Sequence, residues 1–183
     1  IDSFLIGPGL NLNQYSINKI KSLFKTNKNI VVDAGAISNF KGKLNTLKNI
    51  IYGKNAVITP HEGELRSILP NLKGNCIDKA LKAASELNCI VVLKGATTVI
   101  ASPDNKAIVN CAGAKWLATA GSGDVLAGII CGTLSNKMDS FLASAFSVWM
   151  HSEIGNYLGP GLVAEDIPEN INLIYKKLLK TNI

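Results

Sequence analysis

Short β-branched runs alternate with longer amphipathic stretches through the first half of this chain, and that rhythm restricts its fold more than any other feature. FLIG (4–7) precedes NQYSINKIKSLFK (13–25), NIVVDAG (29–35) precedes GKLNTLKNIIYG (42–53), and NAVITPH (55–61) precedes GELRSIL (63–69) and CIDKALKAASEL (76–87), after which comes CIVVLKG (89–95). Strands apolar at every position are buried on both faces, and strands separated by helices must run parallel through right-handed crossovers. After Gly95 the rhythm changes. TTVIAS (97–102), a Pro-Asp-Asn turn and KAIVN (106–110) predict an antiparallel hairpin at one sheet edge. Beyond Ser122 the pattern is helical, with candidates at 125–134, 140–157 and 167–179. The expectation is one α/β domain over residues 1–183: three layers, a mainly parallel sheet with an antiparallel edge hairpin, and helices on both faces.

Composition narrows the function classes. A chain of 183 residues, 47% hydrophobic and 17% charged, buries about 70% of its unfolded surface around one core, which excludes disorder, collagen and coiled coil. No apolar run reaches the roughly 18 to 20 residues of a spanning helix, so no membrane association is expected. The opening residues lack a signal peptide's basic stretch and small-residue cleavage site. They begin with Ile1, not Met, inside an apparent strand, so the chain is expected to continue upstream. The formal charge is +6, but 18 of the 19 basic residues are Lys, spread along the chain, whereas nucleic-acid readers favour the bidentate Arg fork. No nucleic-acid partner is expected. The four cysteines lie 13, 22 and 20 residues apart without a CxxC pair, which fits a reduced, cytoplasmic protein.

In open α/β sheets ligands lie beyond the carboxyl ends of the strands. Four such ends carry GPGLN (7–11), DAG (33–35), TPHEGE (59–64) and KG (94–95), presenting Asp, His, Glu and Lys to one crevice. The strongest local signal is ATAGSGDVLAG (118–128), where two glycines and a serine before an apolar helical run let backbone amides converge on an anion at the positive end of a helix dipole. Asp124 falls in the first turn. A plainer reading has it only favouring the dipole, as His61 could be merely a helix cap and Lys94 an exposed strand-end lysine. Neither a Walker A loop nor a dinucleotide fingerprint is present.

GPGL (7–10), VVDAGA (31–36), TPHEGEL (59–65), LKGATTVI (93–100), Asn110 with Gly113, LATAGSGDVLAGII (117–130) and GLVAEDIPENI (161–171) occur in the order and spacing of the ADP/ATP-dependent NAD(P)H-hydrate dehydratases, so the whole chain resembles that ribokinase-like family. The resemblance implies that Asp124 is the catalytic base and Gly121, Ser122 and Gly123 the anion hole. It implies that Lys94, Gly95, Ala96, Thr97, Thr98, Asn110 and Gly123 line ADP or ATP. It assigns Asn11, Asp33, His61 and Asp124 to the hydrated nicotinamide substrate, and Glu64 to Mg²⁺ through water. It further implies a homo-oligomer, an N-terminal portion upstream, and fusion or proximity to an NAD(P)H-hydrate epimerase domain. Two positions depart from the family: Asn11 where GPGLG is usual, expected to keep the glycine's path because Asn tolerates positive φ, and Gly35 where DAD is common, which loses a carboxylate. On sequence alone two other readings stay open. One is a small-alcohol kinase of the same superfamily, against which TPHEGE argues; the other is a non-catalytic nucleotide-binding domain.

Overall fold

The computed structural model describes residues 2–181. Six strands form one sheet in the order β1 (Ser3–Ile6), β2 (Asn29–Val32), β3 (Ala56–Ile58), β4 (Ile90–Leu93), β5 (Thr98–Ala101) and β6 (Ala107–Asn110). The first four run parallel, with Leu5 beside Val31 and Val31 beside Val57; β5 and β6 are antiparallel. The strands advance in one direction. Right-handed crossovers between successive neighbours therefore deliver every connecting helix to the same face.

That face carries α1 (Gln14–Leu23), α2 (Ala34–Ser38), α3 (Leu44–Ile51), α4 (Glu62–Ile68) and α5 (Cys76–Leu87). Ile30, Val32, Ile58, Val91 and Leu93 pack there with Ile20, Phe40, Leu47, Leu65 and Leu87. Local chemistry sets the ends of these helices. Asn13 caps α1 through the Ser16 amide at 2.9 Å, while Asn75 and Asp78 form a reciprocal capping box on α5, which closes at Asn88 in the left-handed region (φ 51°).

The intervening strand residues Val31, Val57, Val92 and Ile100 point the other way. The C-terminal helices must cover them, because no crossover does. α6 (Ser122–Leu134) and α7 (Ser140–Leu158) supply Leu126, Ala127, Ile130, Leu134, Ala143 and Val148. A third cluster, including Ile129, Met150, Ile154, Ile167 and Ile174, joins these helices to α8 (Asp166–Glu169) and α9 (Ile171–Thr181). The three layers expected from the sequence are thus present. No helix among the described residues is long and apolar enough to cross a membrane, and the four cysteines are free.

Two elements differ from expectation. The α2 turn was not anticipated. The continuous C-terminal helix expected at 167–179 divides at Asn170, whose amide bonds to the Ile167 carbonyl at 3.1 Å while its side chain takes the Asp166 carbonyl at 2.8 Å, ending α8 in a tight turn.

Ile130 is fully buried between α6 and the sheet. Ile130→Ala should cost about 2–5 kcal/mol of stability through lost transfer energy and the residual cavity, measured as a lower denaturant midpoint at constant slope.

Candidate active site

Three adjacent strands end in polar residues that bond to one another. Asp33 follows β2, Thr59 follows β3 and Lys94 follows β4. Asp33 is completely buried; its Oδ1 accepts from Thr59 Oγ1 at 2.7 Å and from Lys94 Nζ at 2.6 Å. The Lys94 side chain is 18% exposed. Lys94 is fixed in turn by a bond from its amide to the Pro60 carbonyl at 2.9 Å and by a bridge to His61. The same side chain reaches across to α6, where a Cβ placed on Gly123 would stand 3.2 Å from Lys94 Nζ. The bare backbone of Gly123 makes that approach available. Lys94 is therefore no dangling strand-end lysine. It joins the carboxylate under β2 to the glycine turn opening α6.

The glycine turn has a specific donor arrangement. Gly121 caps α6 with φ 84°, and the closing loop of the GLVAEDIPENI stretch sits on it through Ala164. The Ser122 amide turns back to the Thr119 carbonyl at 3.3 Å, and the Val125 amide bonds to the Gly121 carbonyl at 3.0 Å. Among the described residues the Gly123 and Asp124 amides are left as first-turn donors, as expected at a helix start. Ser122 thus contributes its side chain and carbonyl, and its amide is not one of the cradle's free donors. Asp124 is exposed beside these amides.

His61 is the N-cap of α4. Its Nδ1 accepts from the Gly63 and Glu64 amides at 3.0 and 3.3 Å, and Glu64 Oε2 accepts from the His61 amide at 2.9 Å. This box uses Nδ1 as acceptor, which places the neutral ring's proton on Nε2 and leaves a donor on an exposed ring. The capping reading of His61 holds, and its Nε2 lies 3.7 Å from Glu64 Oε2.

Asp33 Oδ2 is buried with no hydrogen-bond partner, and the box occupies only one of Glu64's carboxylate oxygens. No cluster of three or more His, Cys, Asp or Glu side chains suited to a metal forms among the described residues. Mg²⁺ takes one or two carboxylates and completes its shell with water and phosphate, so this donor set fits it.

The LKGATT turn is closed by Thr98, whose hydroxyl accepts from the Gly95 amide at 3.4 Å and donates to the Gly95 carbonyl at 3.2 Å. Ala96 and Thr97 are exposed, and Gly113 packs so tightly that a Cβ there would lie 2.7 Å from the Ala96 carbonyl. Asn110, at the end of β6, donates to Ser152 Oγ at 2.6 Å.

The loops after β1 and β2 correct the expectation for Asn11 and add to that for Gly35. Asn11 is exposed, but positive φ among non-glycine residues occurs at Ala34 (45°), Asn88, Asn105 and Lys137, not there. Asn11 therefore follows an ordinary path, and the non-glycine residue of this segment in the left-handed region is Ala34, directly after Asp33. Gly35 is more than a lost carboxylate. A Cβ on it would meet the Leu10 carbonyl oxygen at 2.2 Å.

Sequence reasoning missed three residues that hold the site. Asn39 Nδ2 donates to the Asn11 and Gly35 carbonyls at 3.0 and 2.7 Å, and its Oδ1 accepts from the Asn13 amide at 3.0 Å. Ser152 holds Asn110. His151, buried on α7, places Nε2 3.1 Å from both Ser122 Oγ and the Ser122 carbonyl. Burial pushes its pKa down from 6.5 to about 4; the Ser122 backbone bond opposes that shift and the nearby Lys94 charge adds to it.

The fold is that of a ribokinase-like α/β domain: a ribokinase-like superfamily protein of Enterococcus faecalis superposes with a TM-score of 0.80 at 27% identity over 96% of this chain and 63% of that one. The family model for NAD(P)H-hydrate dehydratase matches residues 1–170, and the chain belongs to that family. It is 34% identical over 163 residues to the bifunctional NAD(P)H-hydrate repair enzyme Nnr of Moorella thermoacetica, covering 85% of this chain and 30% of that protein. It is 30% identical over 188 residues to the ADP-dependent (S)-NAD(P)H-hydrate dehydratase of Xanthomonas campestris, covering 97% of this chain and 62% of the relative. The Bacillus subtilis ADP/ATP-dependent NAD(P)H-hydrate dehydratase, co-crystallized with ATP/Mg²⁺, superposes with a TM-score of 0.82 at 26% identity over 96% of this chain and 64% of that one. The chain thus spans less than two thirds of the length of these relatives.

Two outcomes test this geometry. Gly35→Asp should lower the thermal unfolding midpoint, because its Cβ has no room beside the Leu10 carbonyl. The second concerns pH. An unfolded His151 takes up a proton below about 6.5 while the folded one resists to about 4, so the unfolded state binds more protons in that window and stability falls with pH. The stability difference between wild type and His151→Gln should change by about 3 kcal/mol between pH 6.5 and 4 and level off on either side, as read from urea unfolding at stepped pH.

Proposed function

We propose that the protein carrying this chain dehydrates the S-epimer of NAD(P)H hydrate to NAD(P)H, with ADP as phosphoryl donor and ATP as an alternative. The observation that carries this reading is Lys94, whose ammonium contacts both Asp33 and the Gly123 turn. One fixed cation thereby joins the loops assigned to the hydrate to the helix start assigned to the phosphate. The name of the Xanthomonas relative supports ADP and the S-epimer. The bifunctional relative supports a place beside an epimerase domain.

Hydroxide is a poor leaving group and phosphate a good one. In the proposed reaction Asp124 takes the proton of the ring hydroxyl as its oxygen attacks the terminal phosphorus of the nucleotide, and AMP leaves from ADP, or ADP from ATP. The Gly123 and Asp124 amides face the equatorial oxygens, where donors fixed in advance stabilise developing charge. Lys94 neutralises the same region. Glu64, through water, and the free oxygen of Asp33 would hold Mg²⁺, which supplies further charge neutralisation when bound. Electrons from the ring nitrogen then expel phosphate, and loss of the adjacent ring proton restores the dihydronicotinamide. Exposed His61 Nε2 and Asn11 stand on the hydrate side. Gly95, Ala96, Thr97, Thr98 and Asn110 stand on the nucleotide side.

Full-length protein incubated with the S-epimer of NADH hydrate, Mg²⁺ and ADP should regenerate the NADH absorbance in step with inorganic phosphate. Asp124→Asn should lower that rate at least about 10²-fold, the lower range for a general base, with ADP binding retained. A stable phosphoester from a small alcohol, with no NADH formed, would replace this reading with a kinase.

A further inference from the structure

α7 presents two consecutive polar residues to opposite walls of the site. His151 holds Ser122 at the start of α6, and Ser152 holds Asn110 at the end of β6. One turn later α7 lies so close to the preceding loop that a Cβ on Gly155 would stand 2.6 Å from Leu117 Cγ and 2.9 Å from Ala114 Cβ. The helix is thus pinned against the site, and its polar pair has little freedom to drift.

Ser122 needs such a support. It lies between Gly121, in the left-handed region at φ 84°, and Gly123, and glycine on both sides leaves the first turn of a helix the most conformational freedom to lose. Its amide bonds to the Thr119 carbonyl at 3.3 Å, and one imidazole nitrogen 29 residues away reaches both its side chain and its carbonyl. A histidine that only filled space would not need both contacts on one residue.

We propose that His151 is a positioning residue for phosphoryl transfer: it fixes Ser122, and through it the direction in which the Gly123 and Asp124 amides and the Asp124 carboxylate face the transferred group. This rests on the phosphoryl-transfer reading above. The charged group facing the imidazole is Lys94, so an uncharged ring here holds the turn without adding a second cation to the lysine already present. His151 touches neither nucleotide nor hydrate in this scheme; it acts through Ser122.

The test compares His151→Phe, which keeps a ring of similar size and loses both bonds, with His151→Gln, which retains a side-chain donor. Both are made in the full-length protein. With ADP and the S-epimer of NADH hydrate, His151→Phe should lower kcat by about 10- to 100-fold, the scale of a misplaced reacting group. The KM for ADP should stay within about threefold, since ground-state binding is left in place. Amide exchange at Ser122 and Val125 should accelerate while the sheet amides of Val31 and Val92 keep their protection, and His151→Gln should recover most of both effects. An unchanged kcat in His151→Phe would overturn the proposal. So would equal losses in the two variants, or exchange that rises uniformly across the core. Should wild type regenerate no NADH, the dehydratase reading fails, and the exchange measurement still decides this one: acceleration confined to the α6 turn upholds it, and unchanged or uniform exchange overturns it.

Discussion

The interaction on which the site depends is the contact between Lys94 and Asp33. A fully buried carboxylate is costly unless paired, and removing one member of a buried pair typically costs about 3–5 kcal/mol because the other is left uncompensated. Here the pair is also a clamp across strands. Thr59 of the intervening strand end shares the same oxygen of Asp33, so β2, β3 and β4 finish in register around one charge. The aliphatic stem of Lys94 then carries the ammonium to Gly123. Helix α6 starts where it does in relation to the sheet partly because that charge and the bare Gly123 backbone fit against each other.

The topology explains why the clamp and the helix start face each other. Parallel strands laid down in one direction send all their crossovers to one face, and the opposite face stays apolar until the chain returns. The hairpin of β5 and β6 reverses direction and releases the chain to the uncovered side, where α6 and α7 complete the core. α6 begins after the chain has come back to the carboxyl ends of the strands, so its positive end points into the crevice. A helix N-terminus and an ion-paired lysine therefore meet through connectivity, with neither requiring long-range design of its own.

Much of this was legible in the sequence, for identifiable reasons. IVV at 30–32 and IVVL at 90–93 are β-branched and apolar throughout, which only a doubly covered strand tolerates. GSGD and TPHEGE combine residues whose local chemistry is self-sufficient: glycine at a helix start, and a cap with its reciprocal Glu. What escaped was long-range or camouflaged. His151 and Ser152 lie within SVWMHSEIG, an apolar helix in which period and composition announce only burial. Their partners are 29 and 42 residues away. The α2 turn is five residues long and opens with Ala34 at positive φ, a conformation that alanine's propensity argues against. Its contribution is to bring Asn39 to the loop that follows β1.

That last arrangement changes the meaning of the two departures from the family pattern. Treated separately, Asn11 looks like a tolerated glycine replacement and Gly35 like a lost acid. In the fold they are parts of one packing unit. The Leu10 carbonyl occupies the space that a Cβ on residue 35 would need, and the Asn39 side-chain amide bonds to the carbonyls of both Asn11 and Gly35. Gly7 closes the unit from below, since a Cβ there would fall 1.7 Å from the Asp33 carbonyl oxygen. Residues that share a hydrogen-bond partner couple in their energetic effects, so the loop after β1 is one solution built jointly on residues 7, 11, 35 and 39. The β1 loop can lie close to residue 35 because that residue lacks a side chain, and a carboxylate placed there would have to displace the loop.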